Sequence, residues 1–264
     1  MKIALEFNDT SDPEYISRIK ELTGLPELGS TATVNDFTHS LCLDDSGLSL
    51  RRLHLTAGET HRQPTRVDFT DAALHYRLGN SGKQQGLAKA VGLNKHKPMH
   101  VLDATVGLGR DAFILASMGC QLTMLEQSTI VYSLLADGLL RAEALGDEEL
   151  QRIIKNMSLQ QVKAQDWFTE IMQNKQPRPD VIYLDPMFPP RSKTASVKKD
   201  IGLLQEILGF DEDCETLVEL AKNCARHRVV VKKPGKKPGK KMGVEKNKPS
   251  FVVPGKTAHF EVFV

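Results

Sequence analysis

From Met99 to the C-terminus, short apolar runs alternate with stretches whose apolar residues recur at helical spacing. This alternation restricts the fold more than any other feature of the chain. "MHVLDA" reads as a strand ending near Asp103, and "RDAFILASMG" as a helix that stops at Gly119. "QLTMLE" is a second strand. "STIVYSLLADGLLRAEALG" opens with a Ser/Thr cap and runs as a helix to about Leu145, with a shorter helix through Ile154. "SLQQVKA" is a weaker strand, "DVIYLDP" a strong one, and "DEDCETLVELAKNCARH" a helix. "RVVVKK" and "HFEVFV" are terminal strands with only a lysine-rich loop between them, so they are expected to pair antiparallel. The pattern predicts a doubly wound α/β sheet with its ligands at the carboxyl ends of the strands.

The first 60 residues follow another pattern. "KIALEF" reads as a strand, "DPEYISRIKELTG" as a helix with Pro13 early, and "HSLCLDDSGLSLRRL" as a hairpin turning at Asp44 to Gly47. A small α+β subdomain over residues 1–66 is therefore expected ahead of a main domain over 67–264. The longest uncharged run, Ala112 to Leu125, is shorter than the roughly 18 residues that span a bilayer. "MKIALEFNDT" meets an acid by Glu6 and has no signal-peptide core. Cys42, Cys120, Cys214 and Cys224 form no CxxC pair and no zinc spacing. These features predict a soluble cytoplasmic chain with reduced cysteines, no membrane contact and no metal. Net charge is +2, but Lys232 to Lys248 holds eight lysines and one glutamate, leaving 27 basic against 32 acidic residues elsewhere. A basic segment on an acidic body points to a polyanion contact at one place, with a solvated loop as the alternative.

Four places carry candidate chemistry. In "VLDATVGLGRD", Gly107 and Gly109 form a turn between a strand and a helix beginning near Arg110, where free N–H groups face a ligand. Gly107-x-Gly109-x-x-Ala112 also fits the dinucleotide fingerprint, which brings in an NAD protein. Asp103, four residues before the first glycine, suits a cationic or hydroxyl-rich ligand better than a pyrophosphate, and no obvious hydride-handling residues accompany it. Glu126 ends the second strand, where a carboxylate can accept two hydrogen bonds from ribose hydroxyls. Asp166 in "KAQDWF" either takes the amino group of an adenine or caps the helix "WFTEIMQ"; Trp167 and Phe168 read as core.

The fourth place is "VIYLDPMFPP". Asp185 stands at the end of a buried strand. Pro186 fixes φ and removes a donor, so carbonyls in the turn remain free to accept. Phe188 offers a face on which a base can stack, an interaction worth roughly 1–3 kcal/mol. Acid, carbonyls and ring together would grip an exocyclic amine on a planar base. Arg191, Lys193, Lys198, Lys199, and Lys232 and Lys233 at the start of the lysine segment follow or border strand ends. They are the expected phosphate contacts of a nucleic acid.

Together these residues resemble the class I S-adenosylmethionine-dependent methyltransferases. Asp103 to Gly109 looks like their first motif, Glu126 like their ribose acid, Asp166 like their adenine-contacting acid. "DPMF" resembles their amino-methylating motif, from which Met187 departs by standing where proline is usual. "VDF", "LAKAVG", "DATVGLGRDAF", "MLEQ", "YLDPMFP", "SVKKD" and "RVVVKKP", in this order from about Val67 onward, are similar to the 16S ribosomal RNA guanine-N2 methyltransferases called RsmJ. The resemblance implies a Rossmann-like methyltransferase sheet, S-adenosylmethionine as cofactor, and 16S rRNA or the 30S particle as partner. It implies methyl transfer to the N2 of one guanosine, with Asp185, Pro186 and Phe188 catalytic. By position it also implies cofactor contacts at Arg110, Asp111, Glu126, Gln127, Gln165, Asp166 and Asp185. Val106 departs from a usual small residue, and the lysine segment is richer than the resemblance implies. Two alternatives stay open: an amino-methyltransferase of DNA or of another RNA base, and a non-catalytic RNA-binding assembly protein.

Overall fold

A computed structural model describes residues 2–8, 11–28, 34–54, 64–72, 74–75, 81–93, 99–174, 176–187, 199–209, 214–235, 248–255 and 257–264. For residues 81–84 and 199–201 it describes the backbone alone. In chain order the elements are β1 (Ile3–Phe7), α1 (Pro13–Thr23), β2 (His39–Asp44), β3 (Gly47–Arg52), α2 (Ser81–Val91), β4 (His100–Asp103), α3 (Arg110–Ser117) and β5 (Gln121–Glu126). They continue with α4 (Thr129–Ala144), α5 (Glu148–Ile154), β6 (Met157–Gln161), α6 (Ala164–Asn174), β7 (Val181–Leu184), α7 (Lys199–Leu208), α8 (Cys214–Cys224), β8 (Arg228–Pro234), β9 (Phe251–Val253) and β10 (Ala258–Phe263).

The main sheet has seven strands in the order β6-β5-β4-β7-β8-β10-β9. All pairings from β6 to β8 are parallel, while β10 runs antiparallel to both β8 and β9. The doubly wound sheet with an antiparallel C-terminal strand is thus as the alternation predicts; β9, only three residues long, adds an edge that the sequence does not announce. Strand order reverses at β4, which has β5 on one side and β7 on the other, so a crevice opens at their carboxyl ends.

Side chains alternate across the strands with period two, and the two faces fill two apolar layers. Val181 and Tyr183 of β7 join Val101, Met124 and Val230 in the larger layer, with helices α3 and α4. Ile182 and Leu184 join Leu102, Leu125 and Val231 in the smaller one, against Phe168 of α6 and Val218 of α8. Both faces are covered, which is why these strands read as continuous apolar runs rather than alternating ones.

The N-terminal residues form a three-stranded sheet, β1-β2-β3, with β1 parallel to β2 and β2–β3 as the expected hairpin. Leu5, Leu41, Leu48 and Leu50 belong to the same apolar cluster as Val67, Leu134 and Leu135. The sequence boundary at residue 66 therefore marks a change of sheet within a continuous core. Asp137 of α4, 3% exposed, ties the two sheets together. It accepts from the Tyr15 hydroxyl (3.0 Å), the Leu48 amide (3.0 Å) and Arg141 Nε (2.8 Å). Gly138 lets the connecting chain lie against this helix, because a Cβ there would stand 2.5 Å from Val67 Cγ1 and 3.1 Å from its carbonyl oxygen. On α7, Glu206 pairs with Arg52 of β3 and lies 3.5 Å from His39 Nε2. No helix among the described residues is long and apolar enough to cross a membrane.

Candidate active site

The crevice is built by strand ends. Asp103 closes β4 at 2% exposure, and its Oδ1 accepts the Thr105 amide at 3.2 Å. Gly107 and Gly109 follow with φ of 53° and 73°, in the left-handed region that favours glycine. They differ in surroundings. A Cβ on Gly109 would meet Leu135 Cδ1 at 2.8 Å, whereas one on Gly107 would meet nothing within 4 Å. Gly109 is thus needed for packing, and Gly107 borders open space that a ligand can enter. Helix α3 starts at Arg110 with Gly109 as an N-cap that makes no side-chain bond, so its first amides point into the turn.

Glu126 closes β5 at 7% exposure, its Oε1 accepting the Ser128 amide at 2.7 Å, and the exposed Gln127 follows. Gln165 and Asp166 lie in the first turn of α6, past the end of β6. Asp166 is not the helix cap: α6 begins two residues earlier, and the Asp166 and Trp167 amides both donate to the Lys163 carbonyl at 3.1 Å. Trp167 and Phe168 are core, as expected.

Asp185 directly follows β7. Two bonds lock the ends of β4 and β7 together: the Ala104 amide donates to the Tyr183 carbonyl (3.0 Å), and the Asp185 amide donates to Thr105 Oγ1 (2.6 Å). Pro186 is buried and Met187 packs against the larger core layer. Phe188, Arg191, Lys193 and Lys198 lie outside the described residues, as does the side chain of Lys199, whose backbone opens α7.

Lys232 is placed differently from the sequence expectation. Rather than lying out among phosphate contacts, its Nζ sits 2.7 Å from Asp111 Oδ2 and 2.6 Å from Asp185 Oδ2. Tyr183 donates its hydroxyl to the same Asp111 oxygen at 2.6 Å. Lys233 points to the opposite face and pairs with the buried Glu261 at 2.9 Å. Nothing in the sequence around Lys232 announces this place, which follows from strand pairing. β8 runs parallel beside β7, so the residue just past Val231 arrives at the carboxyl end next to Asp185.

Three carboxylates, Asp103, Asp111 and Asp185, and one ammonium therefore share the crevice. Burial pushes Asp103 well above the ordinary carboxylate range, and nearby Asp111 and Asp185 add to the shift. Burial also raises Asp185, countered by Lys232 and reinforced by Asp111; its side chain is still 39% exposed, which moderates the desolvation. The two carboxylates more than offset burial at Lys232 and keep it cationic. Tyr183 is raised by burial and by the same acids, so it stays a phenol and a donor. Such a site favours a cationic ligand bearing amine and hydroxyl groups.

The model of a family described as "Putative SAM-dependent methyltransferase" matches residues 30–264. The chain is 44% identical over 225 residues to the ribosomal RNA small subunit methyltransferase J of Thioalkalivibrio sulfidiphilus, covering 85% of this chain and 84% of that one. It is 37% identical over 265 residues to the protein of the same name from Marinobacter nauticus, covering 99% and 91%. Among solved structures, a SAM-dependent methyltransferase from Neisseria gonorrhoeae aligns with a TM-score of 0.73 at 29% identity, over 100% of this chain and 96% of that one. With a glycine turn opening α3, acids closing β4 and β5, and Asp-Pro after β7, the chain belongs to the ribosomal RNA small subunit methyltransferase J family of SAM-dependent methyltransferases.

Proposed function

We propose that the protein methylates the exocyclic N2 of a guanine in small-subunit ribosomal RNA, as free 16S rRNA or within the 30S particle. The observation that carries this reading is Asp185: an acceptor held by Thr105 and Lys232 at the mouth of the crevice, beside the glycine turn and followed by a proline. The names of the relatives support ribosomal RNA as the substrate class.

The residues present fit the cofactor. Open space beside Gly107, the start of α3, whose Gly109 cap has no side-chain bond, and the buried acids Asp103 and Glu126 make an anionic cradle. S-adenosylmethionine would supply an electrophilic methyl group on a positively charged sulfur. In this reading Asp103 takes its amino group, Glu126 and Gln127 the ribose, and Gln165 and Asp166 the adenine. Arg110 and Asp111 shape the wall beside the methionine part.

The remaining chemistry belongs to the chain. Guanine N2 is a poor nucleophile because its lone pair is delocalised into the ring. Asp185 and the Pro186 carbonyl accept its two hydrogens, which favours the positive charge that develops on nitrogen. Asp185 can also receive the proton that nitrogen sheds. Phe188 stacks on the base, which must be unpaired or drawn out of its helix to enter. Alignment of nitrogen with the methyl carbon supplies the rest of the acceleration. Arg191, Lys193, Lys198 and Lys199 hold phosphates, together with Lys233 where its pairing with Glu261 permits.

The test is transfer of tritiated methyl from S-adenosylmethionine to 30S particles, and separately to free 16S rRNA, from a strain lacking this gene. Nuclease digestion then identifies the base. N2-methylguanosine is expected; label on another base, or on DNA only, overturns the reading.

A further inference from the structure

We propose that Lys232 is a positioning residue of the transfer: its ammonium, anchored by Asp111, pins one oxygen of Asp185 and keeps that group an ionised acceptor turned toward the base. The inference rests on the function proposed above. It assigns Lys232 to the reacting centre rather than to an RNA phosphate.

Three observations lead to it. Lys232 bridges two carboxylates at 2.7 and 2.6 Å, and Tyr183 fixes the far one from below with a 2.6 Å bond. Releasing the ammonium to a phosphate would remove the cation that stands between Asp111 and Asp185 beside the buried Asp103, where like charges favour protonation. Finally, Lys232 engages only Oδ2 of Asp185, and no hydrogen bond reaches Oδ1 among the described residues. The pinned carboxylate therefore keeps one oxygen for an amine. Among the described residues, the charged and titratable groups around Asp185 are Lys232 on β8, Asp111 on α3, Asp103 on β4 and Tyr183 on its own strand. Lys232 is the cation of this described set, so its removal should leave Asp185 protonated at higher pH.

The experiment compares wild type with Lys232→Met, Lys232→Arg and the double variant Lys232→Met/Asp111→Asn, which relieves the repulsion if the single variant folds poorly. Asp185 is followed by carboxyl-carbon NMR across pH, and methyl transfer to 30S particles by steady-state kinetics. In Lys232→Met, Asp185 should titrate at higher pH than in wild type. Its kcat should fall about 10²-fold, the scale of a misplaced reacting group, and recover in part as pH rises. KM for the particle and its salt dependence should stay within about threefold, and Lys232→Arg should retain part of kcat. An unmoved Asp185 titration overturns the proposal, as does full activity in the double variant. A raised KM with a shallower salt slope and unchanged kcat would overturn it too, returning Lys232 to the phosphate contacts. Wild type that transfers no methyl to guanine would defeat the proposed function, while the Asp185 titration would still decide whether Lys232 sets the state of that carboxylate.

Discussion

Asp103 occupies a position where a carboxylate is costly. It is all but inaccessible, receives a single backbone hydrogen bond, and has two other acids nearby. Its folded-state pKa lies above the roughly 3.9 of a free aspartate. The unfolded chain therefore ionises first, and folding stability declines as pH rises from about 4 up to the folded value. Asparagine keeps the Oδ1 that accepts the Thr105 amide but cannot ionise. Asp103→Asn should thus melt higher than wild type at pH 8 without cofactor, with the gap closing at pH 4, while binding S-adenosylmethionine more weakly. Melting curves at the two pH values check this; a gap that does not change with pH would show that ionisation of Asp103 is not the cause. Asp185 gives the complementary case. Asp185→Ala should abolish detectable turnover yet leave cofactor affinity within a few fold by calorimetry, because its assigned role is toward the base. Equal loss of both would make it a cofactor ligand only.

At the scale of elements, the strands that form the crevice were the most legible part of the sequence. β4, β5 and β7 are buried on both faces and each delivers an acid at its carboxyl end, so apolar run and terminal charge point the same way. The partners of those acids were not legible. Lys232 reads as the first residue of a lysine tract, and only the parallel pairing of β8 with β7 brings it to Asp185 and Asp111. Thr105 and Tyr183 likewise act through a neighbour that sequence distance conceals. Helix α7 carries apolar residues at helical spacing, but Pro186, Pro189 and Pro190 shortly before it in the sequence obscure its start. The polar part of the junction between the two sheets was also hidden, because Asp137 meets partners far away in the sequence. Asp137→Ala would leave the Tyr15 hydroxyl and the Leu48 amide without their acceptor and take the carboxylate from Arg141, which keeps its bond to the Val67 carbonyl. Breaking a buried ion pair costs about 3–5 kcal/mol, and the lower end applies here because Arg141 can still reach water. Thermal unfolding should therefore fall by roughly 6–12 °C at about 2–4 °C per kcal/mol. A fall under 2 °C would mean that the shared apolar cluster alone joins the sheets.

For the whole molecule, charge is distributed to suit a polyanion at one place. Lys232 to Lys248 contributes +7 against a remainder of −5, and in the chain this segment leads from β8, the neighbour of β7, to β9 at the far edge of the sheet. Lys232 and Lys233 are engaged by Asp185, Asp111 and Glu261, so the lysines further along are the ones available in the sequence to meet RNA. A polyanion contact made through Lys236, Lys237, Lys240 and Lys241 releases counterions as it forms, about 0.7 per phosphate neutralised on single-stranded nucleic acid. Replacing these four with glutamine should make the slope of log affinity for 30S particles against log salt shallower by up to about 3. The same variant should keep kcat at saturating particle concentration, since none of the four is assigned a part in methyl transfer itself. Binding measured from low to moderate salt separates the possibilities. A uniform loss with a shallower slope identifies the segment as a phosphate contact, whereas an unchanged slope reduces it to a solvated loop and leaves RNA recognition to the basic residues that follow Asp185.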